Sequence, residues 1–249
     1  ARGLAAVESN PANLAFSHGV TINLAGAAVD LHNNSFSLAR YNEFSGATLT
    51  EADKQRLLSD IPASGFALDA DVQASAIGLQ IGRFALSTQA FGAGRGNLDR
   101  DFFDLVLFGN EVGETVNFND TWGDGYAVGA ATLSYGQPLV SGSLGRLAMG
   151  LNARYLYGLY ELHVEEAHGS VTTTFDEIAG EATASAITSE GGSGYGIDLG
   201  LGLQMEGGWS LGLAMDNVAS NLTWNRNAQR HLFSVSAAEI NAGQDDFDS

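Results

Sequence analysis

Large apolar residues alternate with small or polar residues along residues 194–216. The apolar positions are Tyr195, Ile197, Leu199, Leu201, Leu203 and Met205, followed after a break by Trp209, Leu211, Leu213 and Met215. Because successive side chains of a strand point to opposite faces, this pattern predicts two strands joined by a turn at 206–208. One face is strongly apolar, and the other carries glycine, serine and few charges. That arrangement is typical of a transmembrane β-barrel, which presents apolar residues to lipid and small or polar residues to its lumen.

Similar alternation, bounded by turn residues, predicts about eight strands along the chain. They lie near residues 14–32, 66–81, 84–92, 125–137, 145–161, 193–206, 209–219 and 230–240. The short connections are Gly82-Arg83, 137–145 and 206–208, and the long connections are 33–65, 93–124 and 162–192. Short turns on one side and long loops on the other are the topology of outer-membrane barrels. The predicted fold class is therefore all-β, as an antiparallel transmembrane β-barrel with short helices in long extracellular loops.

The first of these helices is predicted in the loop 33–65. Thr48 or Thr50 can cap it, and the acidic residues Glu51 and Asp53 favour the first turn of a helix. Pro62 marks its end.

A second helix is predicted to begin at Asp99, in the loop 93–124. Its apolar residues are Phe102, Phe103, Leu105, Val106 and Phe108. This group is too apolar to lie bare in water, so we expect it to pack in the barrel mouth or against a partner protein.

The chain has a formal net charge of −18 and a single lysine, Lys54. Because binding to phosphates needs a basic patch, this composition excludes a nucleic-acid partner. We place the acidic residues in extracellular loops, where other envelope proteins are expected contacts. No apolar run reaches the roughly 20 residues that a membrane helix requires. The expected membrane contact is therefore between strands and outer-membrane lipid.

The motif Asn10-Pro11-Ala12 precedes the first predicted strand. Together with the segments 33–38, 49–54, 103–110 and 191–195, it resembles barrels related to the long-chain fatty-acid transporter FadL. The resemblance is closest to uncharacterised bacterial outer-membrane proteins of that superfamily, which also includes PorV-type partners in secretion. It implies a barrel of about fourteen strands in a Gram-negative outer membrane, with the Asn-Pro-Ala motif as a structural element at the periplasmic mouth. No ligand-pocket residue of the fatty-acid transporter is recognisable in this chain.

From this resemblance we expect residues 1–249 to form one outer-membrane barrel domain, with residues 1–13 as its periplasmic N-terminal segment. About eight of the fourteen strands are predicted in this chain. The final residues 245–249 are mostly acidic, whereas outer-membrane barrels usually end on a strand with a terminal aromatic residue. We therefore expect C-terminal strands to be missing. The alternative is a closed eight-stranded barrel with little lumen.

Three charged residues are predicted to meet inside the barrel. Arg154, Asp198 and Asp216 lie eight or nine residues from the short turns and have the same inward parity as the small residues beside them. We expect them at similar height on adjacent strands. They would form either a polar constriction that binds solutes or an ion pair that holds the strand register.

Two groups of residues have ligand types suited to metals. Asn119, Asp120 and Asp124 lie in a loop with Asn117 and suggest calcium, while the run 161–168 combines glutamates with two histidines. Neither spacing forms a complete site, and turn formation or a solvated loop edge explains both. We expect no metal and no cofactor.

These observations favour passive transport of small or hydrophobic molecules, with the apolar segment 99–108 covering the mouth. The first alternative is a non-transporting barrel that serves as a structural or assembly partner in a cell-surface or secretion complex. The second alternative is a soluble secreted β protein, which requires charges on the outward strand faces that residues 194–216 lack. No serine is tied to a base, so we do not expect an enzyme.

Overall fold

The computed structural model describes residues 3–142 and 145–237, in which antiparallel strands form one large sheet. The strands are β1 (Val20–Asn23), β2 (Gly26–Asn33), β3 (Phe66–Ile81), β4 (Phe84–Leu98), β5 (Thr115–Phe118), β6 (Trp122–Gly142), β7 (Gly145–Thr173), β8 (Ile178–Ser189), β9 (Gly192–Gln204), β10 (Ser210–Trp224) and β11 (Gln229–Ala237). The helices are α1 (Ala5–Ser9), α2 (Leu38–Phe44), α3 (Glu51–Asp60) and α4 (Arg100–Phe108), with a 3₁₀-helix over Pro11–Phe16. None of the described helices is long and apolar enough to cross a membrane.

The eleven described strands occupy seven positions across the sheet, because several of them continue one another along the same line. β1 and β2 both pair with β3. β5 and β6 pair with one side of β7, and β8 and β9 pair with its other side. β10 pairs with β9, and β11 pairs with β8. The order is therefore β1/β2, β3, β4, β5/β6, β7, β8/β9 and β10/β11. Within the described ranges the two outer lines have one neighbour each, so the sheet has two free edges.

The all-β class is confirmed, and so are the turns at Gly82-Arg83 and 206–208, which join β3 to β4 and β9 to β10. Several strands are longer than predicted. β4 continues to Leu98 and β7 to Thr173, because their loop-side ends still pair with neighbouring strands. The connection 162–192 is thus largely a β-hairpin that extends the sheet.

The predicted strands 209–219 and 230–240 lie on a single line of the sheet. The line is interrupted at 225–228, where Asn227 has a left-handed backbone with a φ of 47°. The break interrupts the alternation of apolar and polar residues, so the sequence pattern shows two separate strands where the sheet has one line. The predicted strand 230–240 is described as far as Ala237, and its remainder and the acidic residues 245–249 lie outside the described part of the chain.

The start of the first predicted strand is wrong. Residues 14–16 belong to the 3₁₀-helix, and β1 begins at Val20. The cause is the Asn-Pro pair: the side chain of Asn10 accepts a hydrogen bond from the backbone N–H of Ala12 (2.9 Å), and Pro11 occupies the first helical position. A proline there suits a helical turn, because its nitrogen has no hydrogen to leave unpaired.

Register gives the sheet an apolar face. Seven residues that are successive cross-strand partners follow one row across it, namely Val20, Ile81, Phe84, Tyr135, Leu151, Leu199 and Met215. The next row contains Ile22, Leu79, Leu86, Leu133, Ala153, Ile197 and Ala219. Large side chains in both rows are exposed, Leu133 by 58% and Met215 by 55%. The sheet therefore presents a continuous apolar surface that no described part of the chain covers.

The opposite face, which we call the polar face, carries small and polar residues. One row across it consists of Thr21, Gln80, Ala85, Ser134, Asn152 and Asp198. The neighbouring row contains three successive partners that are all glycine, Gly136, Gly150 and Gly200.

The N-terminal segment, residues 3–16, packs against this glycine row. Leu14 and Ala12 are completely buried beneath it, and Phe16 is 5% exposed. A Cβ atom added to Gly150 would lie 2.1 Å from the backbone nitrogen of Ala12, and one added to Gly136 would lie 2.3 Å from that of Ala15. The small residues on this face therefore allow the N-terminal segment to pack closely against the sheet, in addition to lining any open space.

Replacing Gly150 with alanine should displace the N-terminal segment. The added methyl group meets backbone atoms, which cannot rotate away, so we expect the free energy of unfolding to fall by about 1–3 kcal/mol. Urea titration of the full chain in detergent measures it. Gly129→Ala is the matched control, since a Cβ there makes only ordinary contact at 3.8 Å. Equal effects of the two substitutions would contradict the packing described.

Candidate functional site

Two charged residues meet on the polar face of the sheet. Arg154 on β7 and Asp198 on β9 form an ion pair, with 2.5 Å between Nη2 and Oδ1. Their side chains are 17% and 5% exposed. Both residues share the parity of the small residues beside them, and the ion pair agrees with the prediction that they lie together.

Asparagines complete the hydrogen bonding of Asp198. Asn152 donates from Nδ2 to Asp198 Oδ2 (3.1 Å), and the backbone N–H of Asn217 donates to Oδ1 (2.8 Å). Arg154 Nη2 also donates to the side-chain oxygen of Asn217 (2.8 Å). We call Asn152, Arg154, Asp198 and Asn217 the polar cluster. It is a charge-compensated network, buried at Asn152 and Asp198, of the kind that holds neighbouring strands in one register.

Asp216 does not belong to the polar cluster, contrary to prediction. A β-bulge between Met215 and Ala219 shifts the register of β10, and Asn217 at its centre has a φ of 53°. The bulge brings Asn217 to Asp198 and leaves Asp216 exposed. The bulge places the three residues 216–218 opposite the single residue Asp198 and breaks the alternation of faces within it, which a count from the turn cannot register. Asn152 could have been found from sequence, because it shares the parity of Arg154 two residues away.

The polar cluster also holds the N-terminal segment. Asn152 donates from Nδ2 to the backbone oxygen of Val7 (2.8 Å). Asn10 donates to the backbone oxygens of Leu201 (2.9 Å) and Leu213 (3.2 Å). The Asn10-Pro11-Ala12 motif is therefore a structural element, buried between the N-terminal helices and strands β9 and β10.

Several buried polar atoms on the polar face have no hydrogen-bond partner within the described residues. They are Gln80 Oε1, Ser134 Oγ, Asn152 Oδ1 and Arg154 Nε. Three of these residues lie in the same row across the sheet. Buried polar atoms of this kind are typically satisfied by ordered water, so the polar face beneath the N-terminal segment is suited to hydration.

Two neighbouring cavities open on the polar face. The upper cavity, of about 310 Å³, is lined by residues that include Asp30, Asp71, Gln73, Phe91, Tyr126 and Arg154. The lower cavity, of about 450 Å³, lies between α1 and strands β1, β3 and β4, and its lining includes Thr21, Asn23, Ser75 and Ser87. Gln89 lines both cavities. We call the strip of the polar face along β3 and β4 that bears both cavities the polar path.

The apolar helix α4 packs against residues of β3, β5 and α3. Phe103 lies 5.7 Å from the ring of Phe66, and Phe102 lies 6.0 Å from that of Phe118 in β5. The ammonium group of Lys54 lies 5.7 Å from the ring centre of Phe108. Leu105 is partly buried, and Val106 is 66% exposed. The helix is thus partly packed on neighbouring elements and partly exposed.

Acidic side chains organise the start of α4. Asp99 caps the helix by accepting from the backbone N–H of Asp101 (3.0 Å). Its other oxygen accepts from the backbone N–H groups of Asn119 (3.0 Å) and Asp120 (3.1 Å). Burial, together with the nearby Asp99 and Asp104, raises the pKa of Asp101 above its ordinary value.

The weak calcium candidates Asn119, Asp120 and Asp124 have other contacts. The backbone N–H groups of Asn119 and Asp120 bind Asp99, and the carboxylate of Asp124 contacts the imidazole of His163 on β7. Among the described residues, no group of three or more histidines and acidic side chains is arranged to hold a metal ion. Turn formation and ion pairing account for these residues.

The chain matches a family of unknown function, DUF5723, over residues 11–191. It belongs to that family. The matched region of this DUF5723 chain begins at Pro11 of the buried motif and includes Asn152 and Arg154, whereas Asp198 and Asn217 lie beyond it. No curated protein and no solved structure matches the chain.

Removing one partner of the ion pair in this DUF5723 chain should be strongly destabilising. Asp198→Asn leaves the guanidinium of Arg154 buried without a counter-charge, at a cost of about 3–5 kcal/mol. The paired replacement Arg154→Met with Asp198→Leu should cost much less, because no buried charge is left. Urea unfolding of the variants measures both.

Asp216→Asn is the control for that cycle. This carboxylate is exposed, so its loss should change the free energy of unfolding by no more than about 0.5 kcal/mol. A loss for Asp216→Asn as large as that for Asp198→Asn would show that the wrong aspartate has been assigned to the cluster.

Helix α3 should lose stability in acid. The hydroxyl and backbone N–H of Thr50 donate to the carboxylate of Asp53, and these bonds lower the pKa of Asp53 below its ordinary 3.8. The stabilisation is therefore complete above the ordinary pKa and is lost as the pH falls through the lowered value. Hydrogen-exchange protection of α3 amides should fall in that range, and Asp53→Asn should remove the dependence.

Proposed function

We propose that this chain forms part of the wall of an outer-membrane β-barrel through which small polar solutes pass passively. The observation that carries the proposal is the division of the sheet into an exposed apolar face and a polar face that bears cavities. Soluble proteins rarely expose continuous apolar surface on this scale. Lipid removes the cost of that exposure, while the polar face remains in contact with water.

The height of the apolar face supports contact with a membrane. On β9 the large apolar positions run from Tyr195 to Leu203, which is about 27 Å along a strand at roughly 3.4 Å per residue. A strand tilted by about 40° would then cover about 20 Å of membrane thickness, close to the ~25 Å apolar band of outer-membrane barrels.

Aromatic residues lie toward the two ends of this band. Tyr155 and Tyr195 are direct cross-strand partners at the loop end and are 57% and 52% exposed. Trp209 lies at the turn end and is 74% exposed. Amphipathic rings at both borders are typical of strands whose ends meet lipid headgroups.

Closure of the barrel is the second part of the proposal. The upper cavity is lined by residues of β2 and β3 and also by Arg154 on β7, so the sheet curves around its polar face. Closure requires further strands beside the two edges that are free within the described part of the chain. The resemblance to the FadL superfamily supports such a barrel and suggests about fourteen strands.

The lining favours polar over hydrophobic solutes. Serine, threonine, asparagine and glutamine side chains surround the lower cavity, and two aspartates line the upper one. The 3₁₀-helix of the N-terminal segment covers the polar face of β6, β7 and β9, and α1 forms one wall of the lower cavity beside β3 and β4. A hydrophobic molecule would find apolar contacts such as Phe91 and Ile22 along the polar path, but it would have to displace water from the carboxylates of Asp30 and Asp71.

A role as an assembly partner is the second candidate. It is favoured by apolar side chains that remain exposed among the loop helices, Val106 on α4 and Leu38 on α2, which are 66% and 75% exposed. In that case the same barrel would dock another envelope protein through its loops. A soluble secreted protein is disfavoured, because the apolar face lacks the charges that water contact requires.

Adjacent cysteines on β10 test which face meets lipid. The chain contains no native cysteine, so Leu213→Cys on the apolar face and Ala214→Cys on the polar face can each be labelled with a fluorophore in the full chain. In reconstituted vesicles, spin-labelled lipid should quench the probe at 213 and aqueous iodide the probe at 214. Equal quenching of both probes by iodide would refute membrane insertion.

Vesicle swelling tests passage. Vesicles that contain the protein should swell in small polar solutes faster than empty vesicles, with rates that fall as solute size increases. Lipid quenching at 213 without any increase in swelling would refute transport and favour the assembly role.

A further inference from the structure

We infer that the upper cavity is a binding site for a small organic cation that carries an ammonium group. This extends the proposed function by naming the class of solute that the polar path accepts. Only the idea that the cavity lies on a transport route rests on the proposed function. Binding itself depends on the residues around the cavity.

The first observation is an uncompensated pair of carboxylates. Asp30 on β2 and Asp71 on β3 are direct cross-strand partners on the polar face, and both line the cavity. Within the described residues neither forms an ion pair. Like charges directly opposite each other destabilise a sheet. A cation between the two carboxylates would turn this repulsion into attraction.

The second observation is that the only guanidinium lining the cavity is already neutralised. Arg154 is paired with Asp198, so it adds no net positive charge to the cavity. Another acidic residue, Glu161, lies in the same row across the sheet. It is the cross-strand partner of Tyr126, in the row that runs from Asp71 through Ala93. The surroundings of the cavity are therefore negative overall, which attracts cations and repels anions.

The third observation is an aromatic wall. Phe91 and Tyr126 both line the cavity, and their rings meet edge to face with 6.5 Å between centres. Aromatic faces attract organic ammonium groups through the charge distribution of the ring. Gln73 and Gln89, joined by a 3.4 Å hydrogen bond, add amide oxygens that can accept from N–H or O–H groups.

Size and composition favour an organic cation over a metal ion. The volume of about 310 Å³ is at the lower end of the range for small-molecule sites, about 300–1,000 Å³. A divalent metal ion would use the carboxylates alone and leave the aromatic wall without a function. A compact ammonium compound such as choline can contact the carboxylates and the rings at the same time.

Isothermal titration of the full chain in detergent with choline chloride tests the site, with sodium chloride as the ionic control. We expect saturable binding of choline and none of sodium. Asp71→Asn and Asp30→Asn should each weaken binding at least about fivefold. Both variants should fold, because each relieves a repulsion between like charges. Tyr126→Leu should weaken binding by about three- to fivefold.

Asp69→Asn is the matched control. Asp69 lies on the same strand and face as Asp71, two residues away, but it does not line the cavity, and its partner on β4 is Arg95. The substitution removes the same charge, so it should leave choline affinity within about twofold. Equal weakening by Asp69→Asn and Asp71→Asn would overturn the site, because it would indicate only a diffuse negative field.

Two further results would also overturn it. One is the absence of saturable choline binding to the unmodified chain. The other is a pattern that would indicate a metal site. In that pattern magnesium chloride binds, Asp71→Asn abolishes its binding, and Tyr126→Leu changes the affinity for neither magnesium nor choline. Swelling in neutral solutes without choline binding would leave the proposed function standing and refute this inference. Choline binding without swelling would support this inference and refute the proposed function.

Discussion

The period of two along each strand, kept in register across seven lines, is the constraint on which the structure depends. Outside the bulges the strand residues have cross-strand partners, so the register decides which side chains share a face across the sheet. A slip of one residue in β6 would place Ser134 among the apolar residues and Leu133 against the N-terminal segment. The glycine row, the ion pair and the apolar face are therefore consequences of the same pairing.

The polar cluster reinforces this register at the strand where slippage is easiest. Glycine-rich strands have little side-chain packing with which to resist slippage, and β9 has glycine at 192, 194, 196, 200 and 202. Asp198 interrupts that series and binds partners on both sides, Asn152 and Arg154 on β7 and Asn217 on β10. A buried charge with several specific partners is costly in any other register. It thus supplies the specificity that the glycines lack.

Features that arise from local chemistry could be predicted from sequence. The turns at 82–83 and 206–208, the cap of α3 by Thr50, the start of α4 at Asp99 and the pairing of Arg154 with Asp198 all follow from short patterns or strand parity. Features that depend on distant packing could not. Parity shows that Gly150 and Gly200 share a face, but it gives no sign that the N-terminal segment fills the space above them. Asn217 contacts Asp198 where Asp216 was predicted, because of a bulge that only the pairing of β10 with β9 reveals.

The hydrogen bonds of Asn10 link the beginning of the described chain to its far end. Its side chain donates to carbonyl oxygens 191 and 203 residues away, on β9 and β10. Contacts at such separation are slow to form, because a long stretch of chain must be ordered before they can be made. The N-terminal helices cannot reach their final position until the last hairpin of the glycine-rich region has joined the sheet. The N-terminal segment is thus synthesised before the strands that hold it but docks after them, and its burial signals that those strands have already assembled.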